Sequence, residues 1–150
     1  MARNKLPAAP TVAETPDEAE AAFYEALAAG DLGRVMALWV DDEDVLCVHP
    51  GGGRVVGVAA IRASYEVMLG DGGLPILTEA LHRMQRADCA VHHLVERIAV
   101  DTARGRSELR VLATNVYLKT PLGWRLAAHH ATQAAPDDRP APEPVPTTLH

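Results

Sequence analysis

The sequence predicts an α+β domain in which three N-terminal helices pack on a strongly curved, mainly antiparallel sheet. Three observations carry this. Segments before residue 70 repeat apolar residues at helical spacing, and the first two open on capping residues. Beyond Pro75 the period shortens from about 3.6 residues to 2. The breaks at 101–105 and 120–123 are short enough for hairpins, so the later segments pair sequentially and antiparallel. Helices followed by a sheet make a layered α+β fold. A chain of 150 residues with 48% hydrophobic content is one domain with ample core.

Thr15-Pro16-Asp17-Glu18 places a hydroxyl at the N-cap, proline at the first helical position and glutamate three residues past the cap. A helix is therefore expected from Pro16 to Ala29, with Phe23, Ala26 and Leu27 buried and Gly30 as its left-handed stop. Asp31 caps a second, shorter helix facing inward with Leu32, Val35, Met36 and Trp39. After the acidic turn 41–44, Val45 to His49 reads as a strand ended by Pro50 and three glycines. Arg54 to Val56 supplies a short return strand. Val58, Ile61, Tyr65 and Met68 then mark a third helix running to Gly70. Four long strands follow at about 75–85, 89–101, 107–119 and 123–133. Residues 1–14 lack periodicity, and 135–150 carry five of the eleven prolines. Both ends are expected to be disordered, leaving 15–134 as the domain.

The net charge of -6 and the scattered arginines exclude broad attraction to a phosphate backbone, so no nucleic-acid partner is expected. No apolar run is long enough to span a bilayer, and the N-terminus lacks the apolar core of a signal peptide. Cys47 and Cys89 lie in apolar runs and read as reduced, buried thiols, which points to the cytoplasm. The chain has no G-x-x-x-x-G-K-[ST], G-x-G-x-x-G after a strand, G-x-S-x-G or H-E-x-x-H. No organic cofactor is expected.

The order of elements and a set of short phrases resemble the nuclear transport factor 2-like superfamily, in particular its SnoaL-like and ketosteroid isomerase-like branches. The phrases are Ala26-Leu27-Ala28-Ala29-Gly30-Asp31, Leu38-Trp39-Val40-Asp41-Asp42, His49-Pro50-Gly51-Gly52, Gly57 before Ala60-Ile61, and Gly123-Trp124 before His129-His130. The resemblance implies a cone-shaped α+β barrel, with the helices closing over the concave face of the sheet around an apolar pocket, and commonly a dimer. It leaves the activity open, since the fold hosts isomerases, dehydratases, cyclases, non-catalytic binders and assembly modules. In ketosteroid isomerases the proton-moving base is an aspartate just before the proline that ends the first strand. The matching residue here is His49, whose imidazole is a competent acceptor at neutral pH. The helix-one tyrosine of those enzymes aligns with Phe23, and Tyr24 is expected to point about 100° away around the helix. Steroid isomerisation by that chemistry is therefore not expected.

Many small residues at strand positions, among them Ala80, Ala90, Ala99, Ala113, Ala127 and Ala128, suggest an interior too sparsely filled for normal packing density. Six larger side chains are expected to line the resulting pocket: Phe23, Trp39, Tyr65, Asn115, Tyr117 and Trp124. Asn115 is expected to orient His130 or a ligand carbonyl, or to bridge two strands. Strand pleating sends only one histidine of each adjacent pair inward. On the last strand the bulkier face is Trp124, Leu126, Ala128, His130 and Thr132, so His130 is expected inward as a second catalytic residue. His92 shares a face with Glu96 and His93 with Arg97, and the sequence does not choose between them. A metal would need three converging ligands, such as His49, one of His92 and His93, and His130, but none belongs to a ligand motif.

The expected function is a SnoaL-like pocket protein for a small apolar or carbonyl-containing molecule. If catalytic, it is a cofactor-free isomerase, dehydratase or cyclase moving a proton with His49 as acid or base. The alternative is a non-catalytic, homodimeric binding or assembly module. That alternative draws on the apolar character of both faces of the later strands, with Leu112, Val116 and Leu118 opposite Val111, Ala113 and Tyr117.

Overall fold

A computed structural model describes residues 12–135. The helices are α1 (Pro16–Ala29), α2 (Leu32–Ala37) and α3 (Val58–Met68). The strands are β1 (Leu46–Val48), β2 (Arg54–Val56), β3 (Ile76–Gln85), β4 (Cys89–Thr102), β5 (Gly105–Thr120) and β6 (Gly123–Gln133). The six-stranded sheet has the order β2-β1-β6-β5-β4-β3. This is the expected α+β arrangement, with capped helices where the sequence placed them. Thr15 accepts from the Glu18 amide at 3.1 Å and Asp31 from the Arg34 amide at 3.1 Å. Gly30 closes α1 at φ 68°, a conformation few other residues adopt without cost.

The hairpins β3–β4, β4–β5 and β5–β6 are antiparallel, as their short connections require. Local pattern did not indicate that β1 lies parallel to β6, pairing Cys47 with His129. This join sets the end of β1, and with it His49, beside β6 and one strand in from the β2 edge. No helix among the described residues is long and apolar enough to cross a membrane.

Helix α1 lies in the trough of the sheet and is buried over a wide arc that includes Glu20, Phe23, Tyr24 and Leu27. Phe23, Val35, Trp39, Cys47, Ile61, Ala113, Tyr117 and Leu126 each have no accessible area. Such side chains border no space that a water molecule enters, so the expected hollow is filled at these positions. Of the six strand alanines expected inside, only Ala90 and Ala113 are buried, while Ala80 and Ala99 are exposed and Ala127 and Ala128 half-buried, so the small residues do not thin the core as expected.

Of the stretch expected to be disordered at the start, residues 1–11 lie outside the described residues. Ala13, however, is buried and its carbonyl accepts from the Trp124 amide at 2.8 Å. Of the C-terminal stretch, residues 136–150 lie outside the described residues.

Candidate active site

Cys47 of β1 faces the core, and His49, two residues on, keeps that parity and lies half-buried between β1 and α3. Its Nε2 lies 3.0 Å from the Ser64 hydroxyl. Ser64 has one proton, which goes to the Ile61 carbonyl at 2.7 Å, so its oxygen accepts from His49 Nε2–H. Nδ1 is left as the basic nitrogen. The ring stands edge-on to Tyr65, with centroids 5.0 Å apart. Burial holds the imidazole below its usual pKa of 6.5, so it is neutral at physiological pH. Cys47 Sγ sits 3.6 Å from Nε2, but burial pushes the thiol up to about 12. That thiol is protonated and is not a nucleophile.

Behind Tyr65 lies a buried polar chain. Phe23 contacts Tyr65, Tyr24 and His129, with ring centroids 6.1, 5.1 and 6.0 Å away. His129 Nδ1–H donates to Asn115 Oδ1 at 2.5 Å. Asn115 Nδ2 donates to the Tyr24 hydroxyl at 3.0 Å, and that hydroxyl donates to Glu96 Oε2 at 2.7 Å. With the Asn115 amide oriented to donate to Tyr24, His129 Nδ1 carries the proton that Oδ1 accepts. Burial raises the Glu96 carboxyl to about 7, with Glu20 adding to the rise and the Tyr24 hydrogen bond opposing it. Burial first, then the neighbouring His49 and His130, lower His129 to about 3.

Several expectations are corrected here. His130 is exposed and His129 is the inward histidine. The reason is a bulge: Val116 pairs with Ala128 but Tyr117 with Leu126, so Ala127 is an extra residue and alternation restarts one position later. Tyr24 does not turn away from the interior, because the wide buried arc of α1 takes in adjacent residues. Asn115 orients the inward histidine, which is His129 and not His130. Among the two histidines of β4, His92 faces inward with Glu96, while His93 bonds Thr114 at 3.0 Å on the outer face.

All six expected pocket residues are buried, but Phe23, Trp39, Tyr65 and Tyr117 pack one another and the polar chain. Trp124 is 5% exposed and belongs to the same core. Trp39 Nε1 and the Tyr117 hydroxyl are buried without hydrogen-bond partners among the described residues. The set of three histidines weighed for a metal does not assemble: His49 bonds Ser64, His92 bonds Glu20, and His130 faces outward.

Sequence reasoning missed Glu96, Tyr24 and His129 as site residues. The signal for Glu96 was present, since His92, Leu94, Glu96 and Ile98 alternate along one face and a carboxylate there needs a partner.

Three helices packed on a bent, mainly antiparallel six-stranded sheet define a small α+β class. Within it, the sequence profile of the SnoaL-like domain matches residues 17–136, and the chain belongs to that family. Among solved structures it is similar to a candidate calcium/calmodulin-dependent protein kinase type II association domain from Thiobacillus denitrificans ATCC 25259. That match has 34% identity and a TM-score of 0.75, covering 83% of this chain and 99% of the other. A candidate dehydratase of the NTF2-like family from Streptomyces avermitilis is 29% identical at a TM-score of 0.69, covering 80% and 99%. A ketosteroid isomerase-like protein from Erwinia carotovora atroseptica SCRI1043 shares the fold at 20% identity and a TM-score of 0.66, covering 80% and 94%. No curated protein matches the sequence.

Proposed function

We propose that this chain moves a proton next to the carbonyl of a small molecule, with His49 as the accepting base and the Tyr24–Glu96 pair as the donor to oxygen. One observation carries the reading: a neutral imidazole and a carboxyl raised to about 7 occupy the same core, one ready to accept a proton and the other to give one. Such groups weaken a core that apolar residues would fill as well, and they concentrate at functional sites. His129 and Asn115 act as positioning residues, holding the Tyr24 hydroxyl by the Asn115 amide. The substrate meets His49 at its half-exposed edge and reaches the donor pair by displacing Phe23 or Tyr65, which stand between them. The similarity to a candidate dehydratase agrees with this class of reaction.

The test is turnover of a panel of enolisable ketones and hydroxy-ketones by the wild type, His49→Gln and Glu96→Gln. Wild-type rate should rise as His49 loses its proton below pH 6.5 and fall above about 7 as Glu96 ionises. His49→Gln should lower the rate by about 10²-fold or more. Glu96→Gln should remove the basic limb. Turnover unchanged in both variants removes the assignment. A wild type no faster than buffer leaves the second reading, a non-catalytic homodimeric module, which the half-buried apolar outer face of β4, β5 and β6 favours.

A further inference from the structure

On the far side of Tyr24 from His49, α1 and β4 bring together three groups that the proton-transfer reading does not use. Asp17 and Glu20 are three residues apart on α1 and so share a face. His92 projects from the inner face of β4 and is 2% exposed. Its Nδ1 lies 2.6 Å from Glu20 Oε2, and its Nε2 lies 3.9 Å from Asp17 Oδ1. One donor atom from each residue falls within 4.8 Å of the others.

We infer that Asp17, Glu20 and His92 form a binding site for a divalent transition metal ion, for which zinc is the fitting species. One imidazole with two carboxylates is a borderline donor set of the kind zinc accepts, whereas calcium and magnesium favour all-oxygen shells. A second, independent feature points to the same spot. The Tyr117 hydroxyl is fully buried and has no hydrogen-bond partner among the described residues. Its ring packs on His92 with centroids 5.1 Å apart, and Glu20 is the charged group that acts on it most strongly. A metal-bound water beside His92 would supply the partner this hydroxyl lacks.

Access and a competing cation are also built in. Asp17 and Glu20 line a cleft of about 150 Å³ that opens between α1 and the outer strands. Arg83, half-exposed on the edge strand β3, reaches into it. Its Nε is 3.0 Å from Asp17 Oδ1 and its Nη2 is 3.9 Å from Glu20 Oε2. The guanidinium thus neutralises the two carboxylates a metal would take, and metal entry exchanges one cation for another as Arg83 swings to solvent.

The experiment is calorimetric titration of zinc chloride into the tag-free full chain after dialysis against a chelator. One equivalent should bind with a Kd of about 10 μM or tighter. His92→Ala and Asp17→Asn should each weaken binding by about tenfold or more, and Arg83→Ala should tighten it several-fold by removing the competitor. Asp17 is exposed, so its variant keeps the fold even if His92→Ala does not. His82→Ala, an exposed histidine on β3, should change nothing. Absence of binding at about 100 μM zinc overturns the site, as does wild-type affinity retained in Asp17→Asn. Weaker binding in Arg83→Ala overturns the exchange. The readout is heat of binding, so it stands or falls apart from turnover at His49.

Discussion

Glu96 and His129 stand at the two ends of one hydrogen-bonded chain, and burial displaces their pKa values in opposite senses. Folded Glu96 keeps its proton up to about pH 7, whereas the unfolded chain releases it near the ordinary value of 4.5. The native state therefore binds the extra proton in that window, and stability falls as pH rises through it. Folded His129 stays neutral down to about pH 3, whereas the unfolded imidazole takes a proton near 6.5. Here the unfolded state binds the extra proton, and stability falls as pH drops from 6.5 towards 3. Between pH 4.5 and 6.5 the two contributions oppose each other and should nearly cancel. Glu96→Gln keeps an oxygen for Tyr24 but cannot titrate, so the His129 contribution should emerge alone. Urea unfolding across that range should show the variant gaining on the order of 1 kcal/mol per pH unit relative to wild type. Parallel curves for the two proteins would mean that Glu96 is already ionised at pH 4.5.

The loop between α3 and β3 is held by an approach too close for any side chain. A Cβ on Gly73 would lie 1.9 Å from the Ala28 carbonyl oxygen and 3.2 Å from the Gly30 amide, both backbone atoms. The same loop donates from the Leu74 amide to Leu27 O at 2.8 Å. Gly73→Ala should therefore lift the loop from the end of α1 and cost roughly 2 to 4 kcal/mol in chemical denaturation. Gly53→Ala, which meets open space, should stay within about 0.5 kcal/mol of wild type. A silent Gly73→Ala would mean the loop can move at no cost. Elements were legible in the sequence because caps, periods and hairpin lengths are local properties. Thr15, Gly30 and the turn at 120–123 each speak for themselves. The parallel join of β1 to β6 has no local signature. Neither does the bulge at Ala127, and parity counted through it turned His129 and His130 the wrong way round. His49 was found because its strand and stop are contiguous, whereas Glu96 and Tyr24 acquire their roles only when α1 settles against β4. The filling of the interior was illegible for a similar reason: composition does not say which small strand residues end up buried, and only Ala90 and Ala113 of the six do.

For the molecule as a whole, the inner face of the sheet is closed by the helices, so the surface still open to association is the outer one. Along β5, Val111, Ala113, Asn115 and Tyr117 face in, while Leu112 and Val116 are half-buried and Leu118 is 38% exposed on the other side. Val91 and His93 of β4 and Ala128 of β6 continue that face. Charged groups flank it, with Arg97 bonding Glu108 at 2.9 Å and Glu79 at 3.1 Å at one end and Arg125 paired with Leu118 at the other. Apolar residues in the middle of a three-strand surface, with paired ions beside them, match the core-and-rim composition of protein interfaces. If the proposed second copy covers this face, the particle in solution should weigh twice the 16.0 kDa chain. Val116→Glu combined with Leu118→Glu places four carboxylates in a dimer contact and leaves the inner face untouched. Light scattering should then report the single-chain mass, with far-UV dichroism unchanged. A wild type that is monomeric at about 100 μM, a concentration at which even a weak micromolar dimer is largely assembled, removes the interface.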